Sequence, residues 1–200
     1  IFYGIGDVAE VARESKLEAV QLDEMRREFL YWYPVDLRNS AKELLPNHLT
    51  FFLFQHAALF PPELWPRAVA VNGMMMLEGM KMSKSKGNVI TLKKAIDMYG
   101  ADVVRATLIS SAEGMDDADW REKNAEDLKT RIRYLLEFVK EALYNSEARE
   151  NNLADRWLLS TFQRRIESVT SALEVLKTRT AFQTAFFDVW NDIRWYLRRV

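Results

Sequence analysis

Three apolar stripes near the C-terminus limit what this 200-residue chain can fold into. Leu128, Ile132, Leu135, Leu136, Val139 and Leu143 form the first. Leu158, Phe162, Ile166, Val169, Leu173 and Leu176 form the second, and Phe182, Phe186, Val189, Trp190, Ile193 and Leu197 the third. Three- and four-residue spacing puts such side chains on one face of an α-helix. Three amphipathic helices with short connections predict part of an antiparallel bundle. The bundle is expected over 120–200, after the acidic, turn-like AEGMDDADW. The sequence has no internal repeat and no low-complexity segment.

Residues 1–119 carry a different pattern. A charged helical stretch over 7–30 has Val8, Val11, Ala12, Leu22, Met25 and Phe29 at helical spacing. Pro34 ends it, and Val35 and Leu37 alternate with Asp36 and Arg38 as in a short strand. NHLTFFLFQHAALF reads as a buried helix stopped by Pro61 and Pro62. RAVAVNG (67–73) reads as a second strand, its small apolar residues suited to the interior of a parallel sheet. MMMLEGMKM is expected to fold back at Glu78-Gly79, with helices over 92–98 and 101–110. The chain is therefore predicted to be α/β up to about Asp119, then a helical bundle, and helix-dominated overall.

Composition narrows the function. Hydrophobic residues make up 48%, which excludes a disordered chain. A formal net charge of -1 excludes a uniformly basic nucleic-acid coat, so RNA contacts must come from local patches. With no cysteine there are no disulfides or thiolate metal sites. LTFFLFQHAALF, interrupted by Gln55 and His56, falls short of the roughly 20 residues that span a bilayer. The N-terminus does not read as a signal peptide and begins with Ile1. The chain is expected to be a piece of a longer cytoplasmic protein with no membrane association.

Residues 81–88 read KMSKSKGN, with Gly79 before and Gly87 within. A solvated basic turn is the plainest reading, but three features favour an anion site. The glycines stand where backbone passes close to a ligand. Serines between the lysines can donate hydrogen bonds to phosphate oxygens. The loop also follows a predicted parallel strand, where α/β sheets place ligands. No GxxxxGK[ST] occurs, so phosphates would be held by mobile side chains.

This loop resembles the KMSKS loop of class I aminoacyl-tRNA synthetases, matching the full pentapeptide. FLYWYPVDLRNSAKELLPNHLTFFLFQHAALF, AVNGMMMLEGMKMSKSKGN, GADVVR and DADW extend the likeness to leucyl-tRNA synthetases of the archaeal and eukaryotic-cytosolic type. The similarity covers most of residues 20–135, and the later helices look like the start of the family's anticodon-binding bundle. The family's SGKDL appears here as Ser40-Ala41-Lys42-Glu43-Leu44.

The resemblance implies the C-terminal half of a Rossmann-type catalytic domain over 1–119 and ATP-dependent formation of leucyl-adenylate, followed by transfer to tRNA(Leu). It implies catalytic roles for Lys81 and Lys84, with Lys84 the stronger candidate. Met82, Ser83 and Ser85 would bind ATP, and Gly79 and Gly87 would let the loop close. Lys86 is as readily a solvated neighbour. Glu43 would stand near the ribose, Asn47 or His48 near the base, and Asn72-Gly73 would offer backbone groups to adenine.

His56 reads as a core histidine and the Met74, Met75, Met76 run as adaptable packing. Asp116, Asp117 and Asp119 read as an acidic helix start rather than a metal site. Arg121, Lys123 and Arg131 are candidate tRNA contacts. Lys129, Arg133, Arg194, Arg198 and Arg199 belong to the same basic set, most of which reads as a solvated face. ATP, Mg2+ on its phosphates, leucine and tRNA(Leu) are the implied ligands, and the parent is expected to be monomeric.

No His-x-Gly-His occurs, so the family's HIGH motif is absent from this sequence and the piece alone is expected to be inactive. Exposed sheet edges invite self-association. The competing readings are a methionyl-tRNA synthetase fragment and a non-catalytic synthetase-like module that binds RNA or protein.

Overall fold

The computed structural model describes residues 3, 6–144 and 150–200, without the side chain of Lys84. It divides into two compact units, Ile1–Asn72 and Gly73–Val200.

In the first unit, the predicted helix over 7–30 is two helices. Asp7 caps α1 (Val8–Ser15) by accepting from the amides of Ala9 and Glu10, and Lys16 ends it at φ 59°. A capping box between Glu18 and Gln21 then starts α2 (Ala19–Trp32). Helix α2 stops two residues before Pro34, because the residue preceding a proline disfavours helical geometry. Strand β1 is Arg38–Ala41, later than the Val35–Leu37 alternation suggested, and it pairs in parallel with β2 (Val69–Asn72). Val35 still contributes, its carbonyl accepting from the Arg67 amide at 2.9 Å.

The crossover between β1 and β2 runs through a 3-10 turn (Lys42–Leu44), a π-helical turn (Leu45–Leu49) and α3 (Thr50–Leu59). Expectation and structure differ on α3. Within the helix only His56 is buried, while Phe51 is 65% and Phe54 68% exposed. A helix apolar on every side needs cover on every side, and a two-stranded sheet supplies it on one. His56 is the satisfied core histidine expected: its Nδ1 donates to the Phe52 carbonyl at 2.7 Å, and its Nε2 lies 3.3 Å from the Tyr33 hydroxyl.

In the second unit, β3 (Met75–Leu77) pairs antiparallel with β4 (Met80–Lys81) and parallel with β5 (Ala118–Trp120). Between β4 and β5 lie α4 (Leu92–Tyr99), capped by Thr91, and α5 (Ala101–Ser111), separated by Gly100 at φ 87°. Tyr99, Val103, Val104, Trp120, Ala125 and Leu128 are the larger part of the core, with Met75 and Leu77 packed against it. Trp120 is 1% exposed, and its Nε1 has no hydrogen-bond partner.

The bundle follows as α6 (Glu122–Tyr144), α7 (Leu153–Glu174), α8 (Thr178–Phe182) and α9 (Val189–Leu197). The third predicted helix is thus α8 and α9 joined by a π-helical turn (Gln183–Asp188). Arg165 on α7 ties to Asp192 on α9 at 2.9 Å and to Asp188 in that turn at 3.4 Å. The stripes are only partly covered, Leu136 and Leu143 remaining exposed. Among the described residues no helix is long and apolar enough to cross a membrane.

The acidic segment does not act as a helix start. Asp117 accepts from the Met74 amide at 2.7 Å and Asp119 from the Gly79 amide at 2.8 Å. These amides flank β3, so the carboxylates satisfy donors beyond its strand pairing. Gly73 is required by close approach: a Cβ there would lie 2.0 Å from the Asp116 carbonyl oxygen. Glu113 accepts from the Thr180 amide and hydroxyl at 3.0 and 2.9 Å, holding the first turn of α8.

Two outcomes are expected. Gly73→Ala forces backbone apart and should destabilise the protein by about 1–3 kcal/mol; an unchanged thermal midpoint would contradict the close approach. The Thr180 amide, then burial working the other way, then the Thr180 hydroxyl shape the Glu113 carboxyl, for a net lowering. A depressed acid contributes stability above its unfolded value of about 4.3 and loses it as pH falls through the folded value. Glu113→Gln should therefore flatten the stability profile below about pH 4.3, measured by urea unfolding at stepped pH; an unaltered profile would count against the cap.

Candidate functional site

The lysine loop leaves a two-residue hairpin. Leu77 faces Met80 across β3 and β4, leaving Glu78 and Gly79 to make the turn at φ 50° and 78°. Positive φ at both central residues matches the right-handed twist of antiparallel strands. Glycine adopts it freely, whereas glutamate is an uncommon choice.

Four contacts fix this turn. The Glu78 amide donates to the Trp120 carbonyl at 2.9 Å, extending the β3–β5 pairing by one bond. The Gly79 amide donates to Asp119 Oδ1 at 2.8 Å, and Asp119 Oδ2 accepts from Arg121 Nε at 2.7 Å. The Glu78 carboxylate accepts from the Glu122 amide at 2.8 Å, in the first turn of α6. The Gly79 amide, then Arg121, hold the Asp119 carboxyl below the usual carboxylate range. The Arg121 guanidinium is pushed further up by the same pair, so the two partners agree.

Beyond β4 the chain closes on itself. The Ser83 amide donates to the Asn88 carbonyl at 3.1 Å, and the Lys86 amide to the Ser83 carbonyl at 3.2 Å. Lys84–Lys86 form a 3-10 turn, and Gly87 completes the loop at φ 67°. Ser83 Oγ and Ser85 Oγ are 2.9 Å apart. Lys81, Ser85 and Lys86 are exposed, while Met82 and Ser83 are half-buried. The strongest sequence candidate, Lys84, has its backbone in this turn and its side chain outside the described atoms. Ammonium and hydroxyl groups carried on one closed turn are donors of the kind that can hold an anion.

The first unit gathers the other candidates. Glu43, in the 3-10 turn after β1, is exposed, and its carbonyl accepts from Asn47 Nδ2 at 3.2 Å. Asn47 Oδ1 accepts from the His48 amide, and His48 Nε2 lies 3.5 Å from Arg38 Nη2. Asn72 ends β2, opposite Ala41 in register. These residues stand at the C-terminal edge of a parallel pair, where α/β sheets place ligands. The same strand end carries Ser40, whose buried hydroxyl has no hydrogen-bond partner and which the sequence reading did not single out.

The second unit holds Gly73, the loop residues and the basic candidates at and after the start of α6. Arg121 is engaged by Asp119, Arg131 lies 5.4 Å above the Phe187 ring, and Lys123 is exposed. Among the described residues no group of three or more His, Asp or Glu side chains is placed to hold a metal ion. Sequence reasoning missed the roles of Glu78 and Asp119. The available signals were a glutamate where a turn prefers Asn, Asp or Gly, and the Asp-x-Asp-Trp sequence before the bundle.

Comparison with known proteins places these features. Residues 22–167 match the family described as tRNA synthetases class I (M), and residues 155–200 match the anticodon-binding domain of tRNA ligase. A leucine–tRNA ligase of Archaeoglobus fulgidus is 50% identical over 100% of this chain and 21% of its own length. One from Pyrococcus furiosus is 48% identical over 95% of this chain and 20% of its own. The chain thus spans about a fifth of the length of these curated relatives.

Among solved structures, the Agrobacterium radiobacter LeuRS–tRNA–LeuAMS complex superposes with a TM-score of 0.67 at 22% identity, covering 84% of this chain and 23% of that one. Mycobacterium tuberculosis methionyl-tRNA synthetase superposes at 0.65 with 21% identity, covering 85% of this chain and 35% of that one. At such identities these likenesses speak to the fold alone. With the family match covering residues 22–167, the chain belongs to the class I tRNA synthetases.

Proposed function

We propose that this chain is part of a leucine–tRNA ligase, contributing the lysine loop and one ATP-facing edge of its catalytic domain. The observation that carries the reading is the full KMSKS sequence on a closed turn, in a chain about half identical to leucine–tRNA ligases along its whole length. Residues 1–119 belong to the catalytic domain, and 120–200 begin the anticodon-binding bundle. The fold does not separate a leucyl from a methionyl enzyme, but the named curated relatives favour the leucyl one.

In the first step the leucine carboxylate attacks the α-phosphorus of ATP, and the bond to pyrophosphate breaks. Negative charge grows on the α-phosphate and the departing pyrophosphate. Lys81 and Lys84 set ammonium groups against that charge, while Ser83 and Ser85 donate to phosphate oxygens. Preorganised donors of this kind are the main device of such catalysis. Met82 takes part in holding ATP, and Glu43 accepts from a ribose hydroxyl. Asn47 or His48 stands near the base, and Asn72-Gly73 offers backbone groups to adenine. Mg2+ would arrive on the ATP phosphates.

In the second step a ribose hydroxyl at the tRNA 3′ end takes the leucyl group and AMP leaves. Arg121, Lys123 and Arg131 are the basic residues assigned to tRNA(Leu). The parent works as a monomer in the cytoplasm. The isolated piece, without the HIGH motif, cannot orient the α-phosphate against a leucine carboxylate, and its open sheet edges favour self-association.

ATP–pyrophosphate exchange by the full-length parent tests the reading. Leucine should drive exchange far better than methionine, and Lys84→Ala should slow it about a hundredfold, the usual cost of one transition-state donor. Preference for methionine, or a near-normal rate for Lys84→Ala, would overturn the assignment.

A further inference from the structure

The turn that launches the lysine loop is built against local preference. A two-residue hairpin with positive φ at both positions favours Asn-Gly or Asp-Gly, and here the first position is Glu78 at φ 50°. An unfavourable residue in a left-handed conformation persists when its surroundings over-determine it, and such residues cluster at functional sites. The Glu78 side chain makes one contact that a shorter residue would not reach: its carboxylate accepts from the Glu122 amide, 44 residues away, at 2.8 Å.

Helix α6 begins after Arg121, which has no side-chain acceptor to cap it. The cap comes from the hairpin instead. From the other side, Asp119 gives one carboxylate oxygen to the Gly79 amide and the other to Arg121. The Gly79 amide belongs to the second turn residue, and Lys81 follows two residues later. The turn is therefore clamped at both residues, by β5 and by the first turn of the 23-residue α6.

We propose that Asp119 and Glu78 are positioning residues for catalysis, clamping the Glu78-Gly79 turn between β5 and α6 so that Lys81 and the loop after it are held in register for the reacting phosphates. This rests on the assignment of the lysine loop to adenylate formation. Neither carboxylate is assigned a contact with ATP. Each acts through the backbone of the turn, and β4 is too short, at two residues, to hold its own direction. Misplacing a catalytic group by about 1 Å through a distant change costs on the order of a hundredfold in rate, so a loose turn has a large effect even when the fold survives.

The test uses the full-length parent in leucine-dependent ATP–pyrophosphate exchange, with rates normalised to folded enzyme by thermal melting. Asp119→Ala removes the acceptor for Gly79, and the exchange rate should fall roughly 10- to 100-fold with leucine KM unchanged. Asp119→Asn keeps an oxygen for that amide and should recover most of the rate. Glu78→Asn is the sharper variant. Asn-Gly suits this turn better than Glu-Gly, so the hairpin should remain folded, yet asparagine is too short to cap α6. Slowed exchange with an undiminished melting temperature is the expected result, and it stands even if Asp119→Ala fails to fold.

A double-mutant cycle fixes the route. If the clamp works through Lys81, then Glu78→Asn in a Lys81→Ala background should lose much less than it does in the wild type. Wild-type rates for both Glu78→Asn and Asp119→Ala, or equal fold losses in both backgrounds, would overturn the proposal while leaving the loop assignment intact. Normal exchange by Lys81→Ala and Lys84→Ala would instead remove the loop assignment and the proposal together.

Discussion

The second unit depends on one pairing, the parallel contact of β3 with β5, which brings together residues 43 apart in the chain, Met75 with Ala118 and Leu77 with Trp120. Three-residue strands have little stability of their own. This pair holds because Trp120 is buried against Tyr99, and because Met75 and Leu77 pack on the core formed by α4, α5 and α6. The donors at the strand ends are satisfied by two carboxylates and one backbone carbonyl. Asp117 takes the Met74 amide, Asp119 takes the Gly79 amide, and the Trp120 carbonyl takes the Glu78 amide. A small sheet thereby becomes a rigid mount, and the lysine loop is what it carries.

Rigid and mobile parts follow from that arrangement. Strand β3 is hydrogen-bonded on both flanks, by β4 and by β5; beyond Lys81, among the described residues, the loop is closed by the Ser83–Asn88 bridge, a short 3-10 turn and local contacts between its own residues. Gly79 and Gly87 have open space where a side chain would stand. The role proposed for the loop, closing on phosphates and later releasing pyrophosphate, would call for a fixed root and a free tip. The division of bonding matches that need.

Much of this was legible from local chemistry. The Glu78-Gly79 turn, the small apolar residues of β2, and helices α4 and α5 with Gly100 between them all have short-range signals that the structure repeats. The misses involve partners distant in sequence. Strand β1 sits at Arg38–Ala41 because its register is set by β2, so the Val35 and Leu37 alternation misplaced it. The acidic run looked like a helix start because its amide partners, Met74 and Gly79, lie 43 and 40 residues upstream. Helix α3 was expected to be buried from its composition, and composition does not say how many sides a unit covers. Of the candidate site, the loop motif was readable in the residues, while Glu43, Asn47 and His48 came from the resemblance alone; the structure puts them in the turns that follow β1. The carboxylates that fix the hairpin turn were not readable.

The central claim is that the root of the lysine loop is held by a carboxylate on β5. Amide hydrogen exchange in the full-length parent reads that bond directly, since a donor bonded within a stable element exchanges only when the element opens. The account predicts that the Gly79 amide is protected to about the same degree as the neighbouring Glu78 amide. It also predicts that Asp119→Ala strips protection from Gly79 while β3 and β5 stay protected. A Gly79 amide that exchanges in the wild type as fast as one in an unstructured peptide would contradict it.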